Sequence, residues 1–224
     1  MKPLPWSHTS LDDFVNCPLA YYEKRVAKSV IETRSDQMIW GEEVHKHFEL
    51  RIAEDKPLPQ DVAAHEPYMR RLLALPGPRG LAEQKIALNT RLQPCGFFDA
   101  DVWYRGVIDF MHVASDQTAT VVDYKTGKPH SKFKQLKLFA LWVFAQYPAI
   151  KTVKVRYYWT QTFNETGEIY QRSQIRALWQ EFMPDLKQYA QAFREDIWQP
   201  RQSGLCYGWC PVVDCEFWKP KKRR

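Results

Sequence analysis

The stretch RGVIDFMHVASDQTATVVDYKTGK, residues 105–128, decides how this chain is read. Two runs rich in β-branched residues flank Ser115-Asp116-Gln117, the pattern of a β-hairpin. A turn centred on Asp116 pairs positions whose numbers sum to 232, which sets Asp109 directly opposite Asp123. Side chains alternate along a strand, so Asp123 and Lys125 share one face while Val122 and Tyr124 take the other. Two carboxylates with β-carbons roughly 5 Å apart repel each other, and a divalent cation between them removes the conflict. Such oxygen ligands suit Mg²⁺ or Mn²⁺, which keep several waters and leave positions for a phosphate and an attacking water. Lys125, beside them, would orient that water or balance charge on the phosphate. Taken alone, Asp-x-Lys is also what a surface ion pair looks like.

Working outward, the elements alternate between helix and strand. Ser10 to Ala27 reads as a helix with Ser10 as N-cap, re-started at Cys17-Pro18 because proline is tolerated only at a helix start. In Gln37 to Ala53, Trp40, Val44, Phe48 and Ile52 recur every four residues as one apolar stripe, with His45 at its edge. The proline-rich segment from Lys56 to Gly80 is a long connection carrying a short helix around Ala63 to Leu75. Strands are expected at Glu83 to Asn89, Phe97 to Val113, Thr118 to Lys125 and around Val153 to Trp159, with helices at Lys132 to Gln146 and Ser173 to Glu195. The fold class is therefore α/β: a central mixed sheet of about four to five strands flanked by helices, with the acidic face of the hairpin at one edge.

Length allows one sizeable domain. The expectation is a single domain over 1–224, with a helical segment at 1–36, a core at 37–200 and a cysteine cluster and basic tail at 201–224. A net charge of +6 favours an anionic partner, and Lys219, Lys221, Lys222, Arg223 and Arg224 concentrate part of it at one end. No apolar run reaches the length of a signal peptide core or a membrane span, so no membrane partner is expected and a cytoplasmic protein is the default.

The strings GVID (106–109) and VVDYKTGK (121–128) resemble two motifs of the PD-(D/E)XK nuclease superfamily. GEEVH (41–45), ending at His45, resembles the first motif of RecB-type members, among which the small CRISPR-associated exonucleases are similar. The resemblance implies a restriction-endonuclease-like core. It also implies that His45, Asp109, Asp123 and the backbone carbonyl of Tyr124 bind the metal and that Lys125 is the catalytic lysine. Gln135 matches the glutamine of a downstream Gln-x-x-x-Tyr motif whose tyrosine is here Phe139. Glu83 stands as a further acidic candidate, equally readable as a surface glutamate.

Cys206, Cys210 and Cys215 crowd into LCYGWCPVVDCEFW, while Cys17 lies near the other end of the chain. Four thiolates suit an iron-sulfur cluster or a tetrahedral zinc. RecB-like relatives place one early and three late cysteines around a [4Fe-4S] cluster that joins the two ends, although the middle cysteine here is displaced by one residue from their spacing. Free structural thiols are the remaining reading, and Cys95, in QPCGF, is taken as one. Together these features imply a metal-dependent deoxyribonuclease, an exonuclease acting on DNA ends or single strands, alongside other recombination or replication proteins. Two other readings stay open: a non-catalytic DNA-binding or assembly subunit, and a zinc-stabilised interaction domain.

Overall fold

The computed structural model describes residues 3–31, 34–114 and 117–220. The turn at Ser115-Asp116 and the basic residues Lys221, Lys222, Arg223 and Arg224 lie outside the described residues. The chain forms two compact units, one of residues 35–179 and one of residues up to 34 together with those from 180 onward.

The first unit holds a five-stranded sheet in the order β1 (Leu81–Asn89), β2 (Val102–Val113), β3 (Thr118–Lys125), β4 (Thr152–Trp159) and β5 (Asn164–Gln171). Only β3 and β4 run parallel; the other neighbours are antiparallel. Parallel pairing needs a crossover, which the helix Lys134–Gln146 supplies. The hairpin has the expected register, from Phe110 opposite Val122 to Val113 opposite Ala119. Its ladder stops one residue short of Asp109 and Asp123. Because β2 and β3 are interior strands, the acidic face lies within the sheet and not at its edge.

Among the strands, β5 and the start of β2 depart from the sequence expectation. β5 was not among the expected strands, because NETGEIYQ buries only Tyr170 and so shows no apolar alternation. Its one strand signal is Gly167, where a β-carbon would meet the Val155 carbonyl oxygen at 2.0 Å. β2 starts at Val102 and not Phe97, since the Asp99 carboxylate accepts from Gly96 N at 2.7 Å and bends the chain into a turn.

The α-helices are α1 (His8–Asn16), α2 (Pro18–Tyr21), α3 (Asp36–Glu54), α4 (Glu66–Leu73), α5 (Lys134–Gln146) and α6 (Ile175–Glu195), with a π-helical turn at Tyr22–Val26 following α2 and short 3-10 turns elsewhere. α3 lays Val44, Phe48 and Ile52 on Phe110, Val122 and Tyr124 of the sheet, with Tyr68, Met69 and Leu72 of α4 in the same cluster. Phe48 is fully buried there, and truncating it to alanine costs about 3–5 kcal/mol. Trp40, expected in this stripe, is 40% exposed, because the first turn of α3 runs past the end of the cluster. In the other unit the helix starts at Ser7, not Ser10: Ser10 is the third residue of a capping box, its hydroxyl accepting from Ser7 N at 2.8 Å. Pro18 re-starts the helix after Cys17 as expected. Phe14, Tyr21, Tyr189, Phe193 and Trp198 pack there ring against ring. Among the described residues no helix is long and apolar enough to cross a membrane.

Candidate active site

Where β2 and β3 stop pairing, their backbone groups need other partners, and the site begins there. The Asp109 carboxylate accepts from Tyr124 N at 2.6 Å, closing the gap that the ladder leaves. On the other side of β2, Ala82 pairs with Phe110 and Gln84 with Ile108, so Glu83 falls opposite Asp109. Glu83 has φ of 49°, an irregularity in β1 at this position. Three adjacent strands therefore carry Glu83, Asp109 and Asp123 at matching positions.

α3 brings His45 over this row. Its Nδ1 lies 3.3 Å from Asp109 Oδ1 and 4.0 Å from Glu83 Oε1, and its Nε2 lies 3.0 Å from the Tyr124 carbonyl oxygen. Gly41, one turn earlier, lets the helix approach: a β-carbon there would sit 3.1 Å from Thr126 Oγ1. Ligand atoms of His45, Glu83 and Asp109 all fall within 4.8 Å of one another.

The second half of the site is a chain of polar contacts. Lys125 Nζ donates to Gln135 Oε1 at 2.8 Å, and Gln135 Nε2 donates to Asp123 Oδ1 at 2.8 Å. Lys125 Nζ also lies 2.5 Å from Asp123 Oδ2 and 5.0 Å from the centre of the Tyr157 ring. Asp123 Oδ2 is thus buried against the Lys125 ammonium. Val122 and Tyr124 point into the core on the opposite face, as strand alternation requires.

The electrostatics show what this arrangement lacks. Burial disfavours the charged form of His45, yet the hydrogen bond and charge of Asp109, with Asp123 and Glu83 behind it, push its pKa up to about 9. Burial and the charge of Asp109 push Glu83 up to about 7. Burial also raises Asp123, against the pull of Lys125. Carboxylates crowded and buried in this way call for positive charge, and the His45 proton is a partial answer. A divalent cation fits better. The donors are hard oxygens and one imidazole gathered around one point, the kind of ligand set that Mg²⁺ or Mn²⁺ takes.

All the sequence candidates in this unit converge: His45, Asp109, the Tyr124 carbonyl, Asp123, Lys125 and Gln135 form one connected set. Glu83 belongs with them more closely than its weak sequence signal implied; its place depends on the β1–β2 register. Phe139 is buried, and its ring and the Tyr104 hydroxyl both approach Gly106, at 3.4 and 2.9 Å from where a β-carbon would be.

The other unit collects the cysteines. Cys17, Cys206, Cys210 and Cys215 line one cavity of about 40 Å³ with Leu205, Val212 and Trp218. Backbone N–H groups face two of the sulfurs, Arg201 N at 3.3 Å from Cys17 Sγ and Ser203 N at 3.4 Å from Cys206 Sγ. Burial raises the pKa of Cys210, and the neighbouring Cys17 and Cys206 add to the rise. Cys95 lies elsewhere, beside Asp99 and Asp101.

Comparison with known proteins agrees with this geometry. A family profile described as the PD-(D/E)XK nuclease superfamily matches residues 5–215. Among solved structures, a candidate exonuclease from Eubacterium rectale superposes with a TM-score of 0.56 at 13% identity, covering 90% of this chain and 85% of its own. The crystal structure of SSO0001 gives 0.48 at 16% identity, covering 95% and 85%. None of the curated proteins compared matches the sequence significantly.

Proposed function

Given that the chain belongs to the PD-(D/E)XK nuclease superfamily, we propose that it is a divalent-metal-dependent deoxyribonuclease that acts as an exonuclease on DNA ends or single strands. The observation that carries this reading is the row Glu83, Asp109 and Asp123 under His45, with Lys125 set against Asp123. His45, Glu83, Asp109 and Asp123, with the Tyr124 carbonyl, would hold Mg²⁺ or Mn²⁺. A cation so held lowers the pKa of a bound water and draws charge from the scissile phosphate.

The residues of the chain do the rest. Lys125 Nζ, placed against Asp123, orients the attacking water and offsets charge on the phosphate as the bond to the leaving oxygen breaks. Gln135 holds Lys125 and Asp123 from one side chain and is a positioning residue. Asp109 does double duty, anchoring Tyr124 N with one oxygen and facing His45 with the other. A non-catalytic DNA-binding subunit would have no use for buried carboxylates in mutual repulsion, which cost stability unless a cation joins them.

For the cysteine cavity the same proposal assigns a [4Fe-4S] cluster. Four thiols line one cavity, and two of their sulfurs receive N–H groups, which support iron-bound thiolates. Anaerobically purified protein is expected to be brown, with iron and acid-labile sulfide; colourless protein with stoichiometric zinc overturns the cluster. Cleavage is tested with end-labelled single- and double-stranded DNA in Mg²⁺, Mn²⁺ and chelator. Metal-dependent release of terminal nucleotides is expected, and internal cuts alone would replace the exonuclease with an endonuclease.

A further inference from the structure

The surroundings of the site are electrically lopsided. On one side the chain leaves β3 at Lys125 and reaches α5 through Thr126-Gly127-Lys128-Pro129-His130-Ser131-Lys132-Phe133, exposed from Gly127 to Lys132. This loop is pinned at its root and its middle. Thr160 N donates to the Lys125 carbonyl at 2.9 Å, Gln161 Nε2 to the Thr126 carbonyl at 2.7 Å, and the His130 ring packs edge-on against Trp159 and Tyr157. Among the described residues neither Lys128 nor Lys132 has a carboxylate partner. Two unspent cations thus stand on a fixed loop between the proposed catalytic lysine and Gln135.

The other side is an open groove of about 610 Å³ along α3, reaching His45, Glu83 and Thr126. Its charged lining is Glu42, Glu49, Glu83, Lys46 and His45; Lys46 is already paired with Glu49 at 2.8 Å, and His45 faces Asp109. Its apolar lining is led by Met38, which is 53% exposed. Away from His45 and the proposed metal, its lining offers a phosphate no unpaired cation. The flat face of a nucleobase needs none, and a thioether is a tolerant surface for it. A base can enter such a groove only when it has no partner strand.

We propose that the substrate strand is held asymmetrically about the scissile phosphate: phosphates on one side lie on Lys128 and Lys132, and the nucleotide on the other side lodges, unpaired, in the α3 groove against Met38. The substrate at the site is then a single-stranded DNA end. This deepens the nuclease reading and rests on it. It assigns binding roles to residues that touch neither the metal face nor Lys125.

The experiment is binding of a labelled single-stranded DNA oligonucleotide in chelator, so that no turnover occurs, followed by anisotropy across a salt series. Lys128→Glu with Lys132→Glu should weaken binding roughly tenfold and lower the salt slope by about 1.4, as for two single-strand phosphates. Met38→Glu should weaken binding with the slope unchanged, because it removes a base contact and not a phosphate contact. Lys151→Glu with Lys154→Glu makes the same charge change at the far end of β4 and should leave affinity within about twofold at moderate salt. If that control loses as much as the loop variant, or if the loop variant keeps the wild-type slope, the loop assignment is overturned. Loss of slope on Met38→Glu, or unchanged affinity, overturns the groove. Wild-type binding with no cleavage in Mg²⁺ or Mn²⁺ removes the nuclease reading while supporting the surface. Cleavage with loop variants that bind normally does the reverse.

Discussion

The carboxylate row and the cysteine cavity both invite a metal, but they do so in different ways. The row sits on three strands whose register holds Glu83, Asp109 and Asp123 together, and the conflict shows in the protein itself: burial raises the carboxyls of Glu83 and Asp123, and the pKa of His45 is pushed up to about 9. The cavity sits on loop and helix ends, where the four cysteines share the lining with apolar side chains. One site demands a cation, whereas the other only accommodates one. A site on rigid elements is also more tightly specified than a site on loops.

The sharpest way to break the contrast is to remove the demand. Asp123→Ala and Lys125→Met should each lower cleavage by on the order of 10³-fold, since each removes an electrostatic contact made to the reacting phosphate or its water. Folding, followed by circular dichroism, should be unaffected. Substantial residual metal-dependent cleavage in either variant removes that residue from the chemistry.

For the cysteines the expected effect is on stability. If a cluster ties Cys17 to the late cysteines, it closes a very long loop, and replacing Cys17 or Cys210 with serine should cost on the order of 4 kcal/mol in anaerobic urea unfolding. Cys95→Ser should be nearly silent. Equal, small effects at all these positions would mean that the thiols are ordinary packing.

What the sequence revealed follows the same division. The hairpin was legible because period-two alternation and a turn fix a register, and Asp109 and Asp123 were found opposite each other from spacing alone. His45 was legible through Gly41 four residues before it, which now has a physical reason in the approach of α3 to Thr126. Glu83 was not, because its role depends on which residue β1 sets opposite Asp109, a non-local fact. β5 escaped because an edge strand with one buried residue has no pattern to read. The cysteines were visible as a cluster, but which sulfurs share a cavity depends on how α2 and the last loops meet.

Two smaller effects sharpen the demand itself. His45 must lose its proton to coordinate, and its pKa of about 9 lies above neutral pH. The apparent affinity for Mn²⁺ should therefore rise up to about tenfold per pH unit as pH increases toward 9 and then level off. The sign follows because the protonated form, favoured below the pKa, competes with the metal. Calorimetry in buffers of different ionisation enthalpy should show proton release, and its absence would detach His45 from the metal. Glu83→Gln should weaken Mn²⁺ binding by about tenfold, because second carboxylates and outer partners typically contribute at that level. No change would return Glu83 to the status of a surface glutamate.

The central claim is that the carboxylate row holds a cation which the chain uses to cut DNA. End-labelled single-stranded DNA incubated with wild type and Asp123→Ala, in Mn²⁺ and in chelator, tests it most directly. The account predicts cleavage by wild type in Mn²⁺ alone, and none by the variant in either condition. Cleavage that persists in chelator, or in Asp123→Ala with Mn²⁺, would contradict it.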